Sequence, residues 1–109
     1  MYGIIGSMQA LAGQRDALIN ILLEGVVVVP GCLSYVVARD PQDGDRLWVS
    51  QVWKDESSYR DALSTPALRS HLARGVPLIA SISPPTITEP VGGIGLGLLS
   101  HLRSTSPVH

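Results

Sequence analysis

The stretch RLWVSQVWKDESSYRDALSTPALRSHLARG, from Arg46 to Gly75, decides the fold of this chain. It begins with an alternating pattern, which predicts a β-strand that sends Leu47, Val49, Gln51 and Trp53 to one face and Trp48, Ser50 and Val52 to the other. From Asp55 onward the spacing of apolar residues is that of a helix. The Thr65-Pro66 step divides this helix, because the residue before a proline avoids the helical region and proline suits a helix's first turn.

The rest of the chain predicts two more strands, a helix and a final short strand. The DPQDGD segment, residues 40 to 45, has the composition of a hairpin turn, so the strands on either side of it run antiparallel. The predicted strands are Tyr2 to Ala10, Cys32 to Arg39, Arg46 to Trp53 and Thr86 to Thr88. The predicted order of elements is therefore β-α-β-β-α-β.

Two helical regions are predicted from apolar residues that recur at intervals of three and four. The first opens at Gly13-Gln14 and is expected to include Val26 to Val29 as its buried end, because Pro30-Gly31 follows immediately. Its apolar stripe consists of Ala17, Leu18, Ile21, Leu22 and Gly25. The second region, in two pieces, covers Asp55 to Ile82 and ends at Pro84-Pro85, with a stripe of Leu68, Leu72, Val76 and Ile79.

This order predicts an α+β fold of the ferredoxin-like type, a four-stranded antiparallel sheet with both helices on one face. Alternation sends half of the apolar strand residues to the other face, which the chain itself leaves uncovered. We therefore expect a homodimer whose sheets pack face to face, with Trp48 or Tyr35 at or beside the interface. Residues 1–90 form the predicted domain. Residues 91–109 form a Gly/Leu-rich arm, expected to cross the neighbouring subunit, and a polar tail.

The composition excludes several classes of protein. The 109 residues are enough for one domain, and the formal net charge of −1 gives no electrostatic basis for binding nucleic acid or anionic membranes. Hydrophobic residues make up 45% of the chain, but no apolar run is long enough to cross a bilayer. A single cysteine and three dispersed histidines argue against a metal site. With no signal peptide pattern at the N-terminus, we expect a cytoplasmic protein without a membrane partner.

Several short motifs resemble the antibiotic biosynthesis monooxygenase family over about residues 2 to 90. They are PGCLSY at 30–35, QVWKDE at 51–56, a tyrosine six residues beyond Trp53, and STPALRSHL at 64–72. The resemblance implies a small dimeric α+β barrel. It also implies oxidation of a phenolic or quinol-type aromatic, such as a polyketide-like one, with O₂, and no metal, flavin or haem. The protein then holds the ring, favours its anion and excludes water.

The resemblance also implies which residues form the site. Trp53 matches the tryptophan that closes the third strand, and is expected to be the aromatic wall of a pocket between the sheet and the helices. Tyr59 and Arg69 match a tyrosine and an arginine that line the pocket in the polyketide-modifying branch. Gln51 takes the place of a glutamate found in many relatives. The remaining predicted contact is Val49, on the floor of the pocket.

One position departs from the family pattern. Many quinol-oxidising members carry a histidine where this chain has Ala62, so the resemblance leaves the proton acceptor unassigned. Arg69, as a cation that favours a phenolate, and His71, as a substitute base, are the candidates. Each site residue also has an ordinary structural interpretation, in core packing or on a solvated helix surface. The alternative function is accordingly a non-catalytic barrel of the same fold that binds a small apolar ligand or serves as an assembly module.

Overall fold

The computed structural model describes residues 1–25 and 29–96. The strands within these ranges are β1 (Tyr2–Ala10), β2 (Cys32–Arg39), β3 (Arg46–Trp53), β4 (Ile79–Ile82) and β5 (Thr86–Thr88). The helices are α1 (Arg15–Glu24), α2 (Glu56–Leu63) and α3 (Pro66–Gly75), and a 3-10 turn over Val76–Leu78 follows α3. The bounds predicted for β1, β2, β3 and β5 are confirmed.

All strands belong to one antiparallel sheet in the order β2-β3-β1-β4, and β5 also pairs with β1. β4 and β5 lie one after the other along the same edge of β1: β4 pairs with Met8, Gln9 and Ala10, and β5 with Gly3, Ile4 and Ile5. The ferredoxin-like α+β fold is confirmed. The sheet has five strands rather than four, because β4, which was not predicted, comes before the predicted last strand, β5.

The two faces of β3 differ as the alternation predicts. Leu47 is fully buried and Val49 and Trp53 are nearly so, whereas Trp48 is 41% exposed. The buried side chains pack beneath the helices in two clusters, one around Leu18 and Leu47 and one formed by Ile4, Trp53 and Ala62. We call this side of the sheet the inner face and the side that carries Trp48 the outer face.

Side-chain caps begin both helices of the second helical region. The Asp55 carboxylate accepts a hydrogen bond from the Ser58 backbone N–H at 2.7 Å, and the Thr65 hydroxyl accepts one from the Leu68 N–H at 3.4 Å. Each satisfies a backbone donor that the first turn of a helix leaves free. The predicted break at Thr65-Pro66 is confirmed, since α3 begins at Pro66.

The prediction of helix as far as Ile82 is wrong. α3 ends at Gly75, and Val76, placed in its apolar stripe, is 62% exposed. The final residue of that stripe, Ile79, pairs with Ala10 of β1 as the first residue of β4. Pro77 has no N–H for a helical hydrogen bond, and the free edge of β1 offers partners to the residues that follow. Strand pairing therefore outweighs the helical spacing of the apolar residues.

The prediction for α1 requires two corrections. The helix ends at Glu24, so Val29 is not part of it, and Val26 to Val28 lie outside the described residues. Its buried side chains are Leu18, Ile19 and Leu22, whereas Ala17 is exposed. None of the helices in the described ranges has the length and apolar character needed to cross a bilayer.

Candidate ligand-binding site

A cavity of about 360 Å³ lies between the inner face of the sheet and the helices. We call it the inner cavity. Strand β3 contributes Val49, Gln51 and Trp53 to its lining, β2 contributes Cys32 and Tyr35, and the helices contribute mainly leucines together with Tyr59 and His71. The remaining lining residues are Ile4, Gly6, Ser7, Met8, Gly25, Val29, Ile82, Ser83 and Pro85. The pocket therefore lies where the sequence predicted it.

Aromatic side chains form one end of the inner cavity. The Trp53 indole is buried, and its Nε1–H donates a hydrogen bond to Oε1 of Gln51 at 2.9 Å. The Tyr59 ring stands edge-on to Trp53, with centroids 5.6 Å apart, and the centroid of the Tyr2 ring lies 5.7 Å from that of Tyr59. Such contacts hold the rings in place beyond what burial alone provides. This end is a fixed aromatic wall with an amide beside it.

The described lining of the inner cavity contains no Asp, Glu, Lys or Arg side chain. Burial raises the pKa of Tyr35, Tyr59 and Cys32. For Tyr35, the nearby Cys32 and Tyr59 raise the pKa further. These three groups therefore keep their protons at neutral pH. What the cavity offers a ligand is apolar surface and neutral hydrogen-bond donors.

His71 of α3 lines the inner cavity and also contacts the end of α1. Its Nε2 is hydrogen-bonded to the backbone carbonyl oxygen of Ile21. A methyl group added at Gly25 would lie only 2.5 Å from Cδ2 and 2.6 Å from Nε2 of the imidazole. The ring can therefore approach α1 this closely because residue 25 has no side chain.

A second cavity, of about 510 Å³, adjoins the first, and we call it the outer cavity. The two share Gly25, Val29, Leu68 and His71. The outer cavity is also lined by Asp61 and Ala62 of α2. His71 thus lies between the inner cavity, whose described lining contains no Asp, Glu, Lys or Arg, and the outer cavity, whose lining includes the Asp61 carboxylate.

The structure brings five of the six predicted site residues to one cavity: Val49, Gln51, Trp53, Tyr59 and His71 all line the inner cavity. The predicted position of Arg69 in the pocket is wrong. Arg69 is exposed and lines neither cavity. Successive helical residues are about 100° apart, so when Leu68, His71 and Leu72 face the sheet, Arg69 faces solvent.

The prediction omitted Tyr35 and Cys32, which also line the inner cavity. Tyr35 is directly opposite Gln51 in the β2–β3 pairing, and residues opposite one another share a face. The hairpin turn at residues 40 to 45 could have given this register, although the shift between Cys32 and Ser34 could not have been foreseen. Within the described residues, no group of three or more His, Cys, Asp or Glu side chains could hold a metal ion.

Comparison with known proteins identifies the family. The antibiotic biosynthesis monooxygenase family model matches residues 1–74. A protein of Chloroflexus aurantiacus J-10-fl, provisionally named as such a monooxygenase, is 52% identical, with a TM-score of 0.84 over 88% of this chain and 98% of its own. No curated protein sequence matches this chain.

More distant structures share the fold. A Deinococcus radiodurans protein with the same provisional name is 19% identical, with a TM-score of 0.71 over 88% of this chain and 98% of its own. SnoaB, a cofactor-independent oxygenase from Streptomyces nogalater, is 14% identical, with a TM-score of 0.71 over 85% of this chain and 95% of its own. Together, the family match and the 52% identical relative show that this chain belongs to the antibiotic biosynthesis monooxygenase family.

Proposed function

We propose that this protein is a cofactor-independent monooxygenase that oxidises a phenolic or quinol-type aromatic with O₂ in the inner cavity. Family membership supports the reaction class, and SnoaB is itself named a cofactor-independent oxygenase. The observation that carries the proposal is the inner cavity itself: an apolar space with an aromatic wall, neutral donors and no fixed charge among its described lining residues.

The size and chemistry of the inner cavity suit a planar aromatic. Its volume of about 360 Å³ is within the range of about 300–1,000 Å³ typical of ligand pockets. The rings of Trp53 and Tyr59 offer aromatic surface against which a planar ligand can pack. The Gln51 oxygen is occupied by the Trp53 indole, which leaves the Gln51 amide N–H groups, with the Tyr35 and Tyr59 hydroxyls, to donate to a substrate oxygen.

The reaction balances with the substrate as the only reductant. In a hydroxyanthracene, the ring carbon opposite the hydroxyl is oxidised to a carbonyl, and the phenolic oxygen becomes the second carbonyl of the quinone. One atom of O₂ enters the product and the other leaves as water with two substrate hydrogens. The reaction starts when the phenol loses its proton and the anion donates an electron to O₂, so a dry cavity that stabilises an anion promotes it.

We also propose that the protein acts as a homodimer built through the outer face of the sheet. This face exposes Ile5, Val36 and Trp48, which are 44%, 54% and 41% accessible. Adjacent exposed apolar side chains of this kind are typical of protein interfaces. A second copy of the sheet would cover them on the side away from the helices, whereas the inner cavity lies between the sheet and the helices.

Oxygen uptake tests the proposed reaction. The parent protein is mixed with hydroxyanthracenes, which give a quinone, and with naphthoquinols, which gain a ring oxygen to give a hydroxyquinone, and we expect one O₂ to be consumed per product formed. Catalase is the control, because it returns oxygen only if hydrogen peroxide is released, and a monooxygenase releases none. With ¹⁸O₂, the product should contain one labelled atom. Binding without uptake for every compound would instead favour the alternative, a barrel that binds an apolar ligand without turnover.

A further inference from the structure

Removing a proton from a phenol requires an acceptor within the inner cavity, and the lining residues provide very few. The described lining contains no carboxylate and no lysine. Burial raises the pKa of Tyr35, Tyr59 and Cys32, so these groups hold their own protons and act as donors. His71 is the remaining ionisable side chain in this lining.

The hydrogen bond of His71 fixes which ring nitrogen can accept a proton. The partner of Nε2 is the Ile21 carbonyl oxygen, which can only accept. Nε2 therefore carries the hydrogen, and the lone pair of the neutral ring is on Nδ1. The Ile21 carbonyl is available because the Gly25 N–H, its ordinary helical partner, bonds to Leu23 instead. The imidazole thus satisfies a carbonyl that the end of α1 leaves free.

Packing against Gly25 sets the direction of the ring. The Cδ2–Nε2 edge is the part of the imidazole closest to residue 25, since its two atoms would lie 2.5 and 2.6 Å from a methyl group at that position. The edge that contains Nδ1 is on the other side of the ring, away from the end of α1. Because His71 lines both cavities, this orientation leaves Nδ1 available to a ligand in the space they share.

We propose that Nδ1 of His71 accepts the proton of the substrate hydroxyl, an inference that rests on the proposed monooxygenase function. The O–H bond breaks, its electron pair stays on the phenolate oxygen, and the proton forms an N–H bond at Nδ1. The resulting imidazolium keeps its Nε2–H bond to Ile21, where the partial negative charge at the C-terminal end of α1 stabilises it. The proton later leaves with the reduced oxygen as water.

The groups around His71 are few. From α2, Asp61 shares the outer cavity with it and Tyr59 the inner one. From β2, Tyr35 and Cys32 share the inner cavity. At the contact between α1 and α3, Glu24 pairs with Arg74 at 2.9 Å, about one helical turn beyond His71. That pair is neutral overall, so Asp61 is the charged side chain that shares a cavity with His71.

The substitution His71→Gln removes the proposed proton acceptor but keeps a hydrogen-bond donor for the carbonyl at the end of α1. A glutamine amide can still donate to the Ile21 carbonyl, but it does not accept a proton near neutral pH. We expect kcat for oxygen uptake to fall about 100-fold or more at neutral pH, the usual contribution of a general base. The loss should shrink as pH rises, because the substrate then ionises unaided. Arg69→Ala, two residues away on the exposed side of α3, is the matched control and should retain the parent rate.

A binding measurement without oxygen gives a readout that does not depend on turnover. Under anaerobic conditions, nitrophenol bound to the parent protein should show its visible phenolate band at a lower pH than free nitrophenol, by about one unit or more. His71→Gln should abolish this difference. If His71→Gln destabilises the fold, His71→Ala with added imidazole replaces it, and partial recovery of the rate is expected.

The outcomes distinguish the two proposals. A His71→Gln protein with the parent's kcat overturns the role of His71 and leaves the monooxygenase function intact. A parent protein that ionises nitrophenol through His71 but consumes no oxygen with any substrate supports the role of His71 in proton transfer and rejects the monooxygenase function. A parent protein that produces no shifted phenolate band overturns the inference.

Discussion

The two faces of β3 use the same residue type for different purposes. On the inner face, Trp53 is 4% exposed and donates its indole N–H to Gln51 in the wall of a cavity. On the outer face, Trp48 is 41% exposed and donates its indole N–H to the Asp40 carboxylate at 2.9 Å. One tryptophan helps to shape the inner cavity, and the other belongs to an open apolar surface. A sheet covered by helices on one side therefore separates the proposed binding site from the proposed dimer interface.

Ionisable groups follow the same division. On the inner face, burial raises the pKa of Tyr35, Tyr59 and Cys32. At the hairpin, the Trp48 indole N–H holds the pKa of Asp40 below its ordinary value, and the Asp45 backbone N–H does the same for Asp43. These three groups on the inner face are therefore kept neutral, whereas Asp40 and Asp43 at the hairpin are kept charged.

The largest expected difference between the faces is in stability. Trp53→Ala should lower the free energy of unfolding by about 3–5 kcal/mol at every protein concentration, because it leaves a hole among buried side chains. Trp48→Ala should lower the free energy of unfolding by less. This loss should grow with protein concentration, since the substitution acts through the proposed dimer. Urea unfolding at several concentrations measures both losses. Equal losses in the two variants, or a parent protein that sediments as a monomer at micromolar concentration, would break the comparison.

A smaller effect is expected in the pH dependence of stability. The pKa values of Tyr35, Tyr59 and Cys32 are raised in the folded state. The protonated groups therefore contribute fully to the stability of the fold below their ordinary pKa values, 9.0 for Cys32 and 10.0 for tyrosine. This contribution is lost as pH rises beyond them. For Asp40 and Asp43, whose pKa values are lowered, the stabilisation is present above 3.8 and lost as pH falls further.

Thermal melts across this pH range separate the two groups. Tyr35→Phe should flatten only the alkaline decline of the melting temperature, and Asp40→Asn only the acid decline. Phenylalanine keeps the packing of the ring and removes the ionisable hydroxyl, so it is a conservative control. An alkaline decline that is unchanged in Tyr35→Phe would show that burial of this phenol does not govern it.

The sequence predicts those parts of the structure that depend on local patterns. The alternation in β3 separates its two faces correctly, and the proline at 66 marks the start of α3. β4 is missed because the helical spacing that ends at Ile79 contains no sign of the free β1 edge that draws these residues into the sheet. A local pattern cannot anticipate a partner about 70 positions earlier in the chain.

In the candidate site, too, the sequence predicts what depends on local pattern and misses what depends on contacts between distant residues. Gln51, Trp53 and Tyr59 are predicted from the family resemblance, and the alternation in β3 correctly places Gln51 and Trp53 on one face. Arg69 is misplaced because the resemblance gives a residue type without the rotation of its helix. The contact of His71 with Ile21 joins residues 50 positions apart and depends on how α1 packs against α3, so the sequence could suggest His71 but not its hydrogen bond.

The central claim, that the inner face binds the ligand, can be tested with the two indoles themselves. The chain has two tryptophans, so a ¹⁵N–¹H spectrum contains two indole N–H signals, which Trp48→Phe assigns. We expect titration with a hydroxyanthraquinone, a stable analogue of the oxidised product, to shift the Trp53 signal in a saturable way and leave the Trp48 signal nearly unchanged. A saturable shift of Trp48 with Trp53 unaffected would contradict the claim and place the ligand on the outer face.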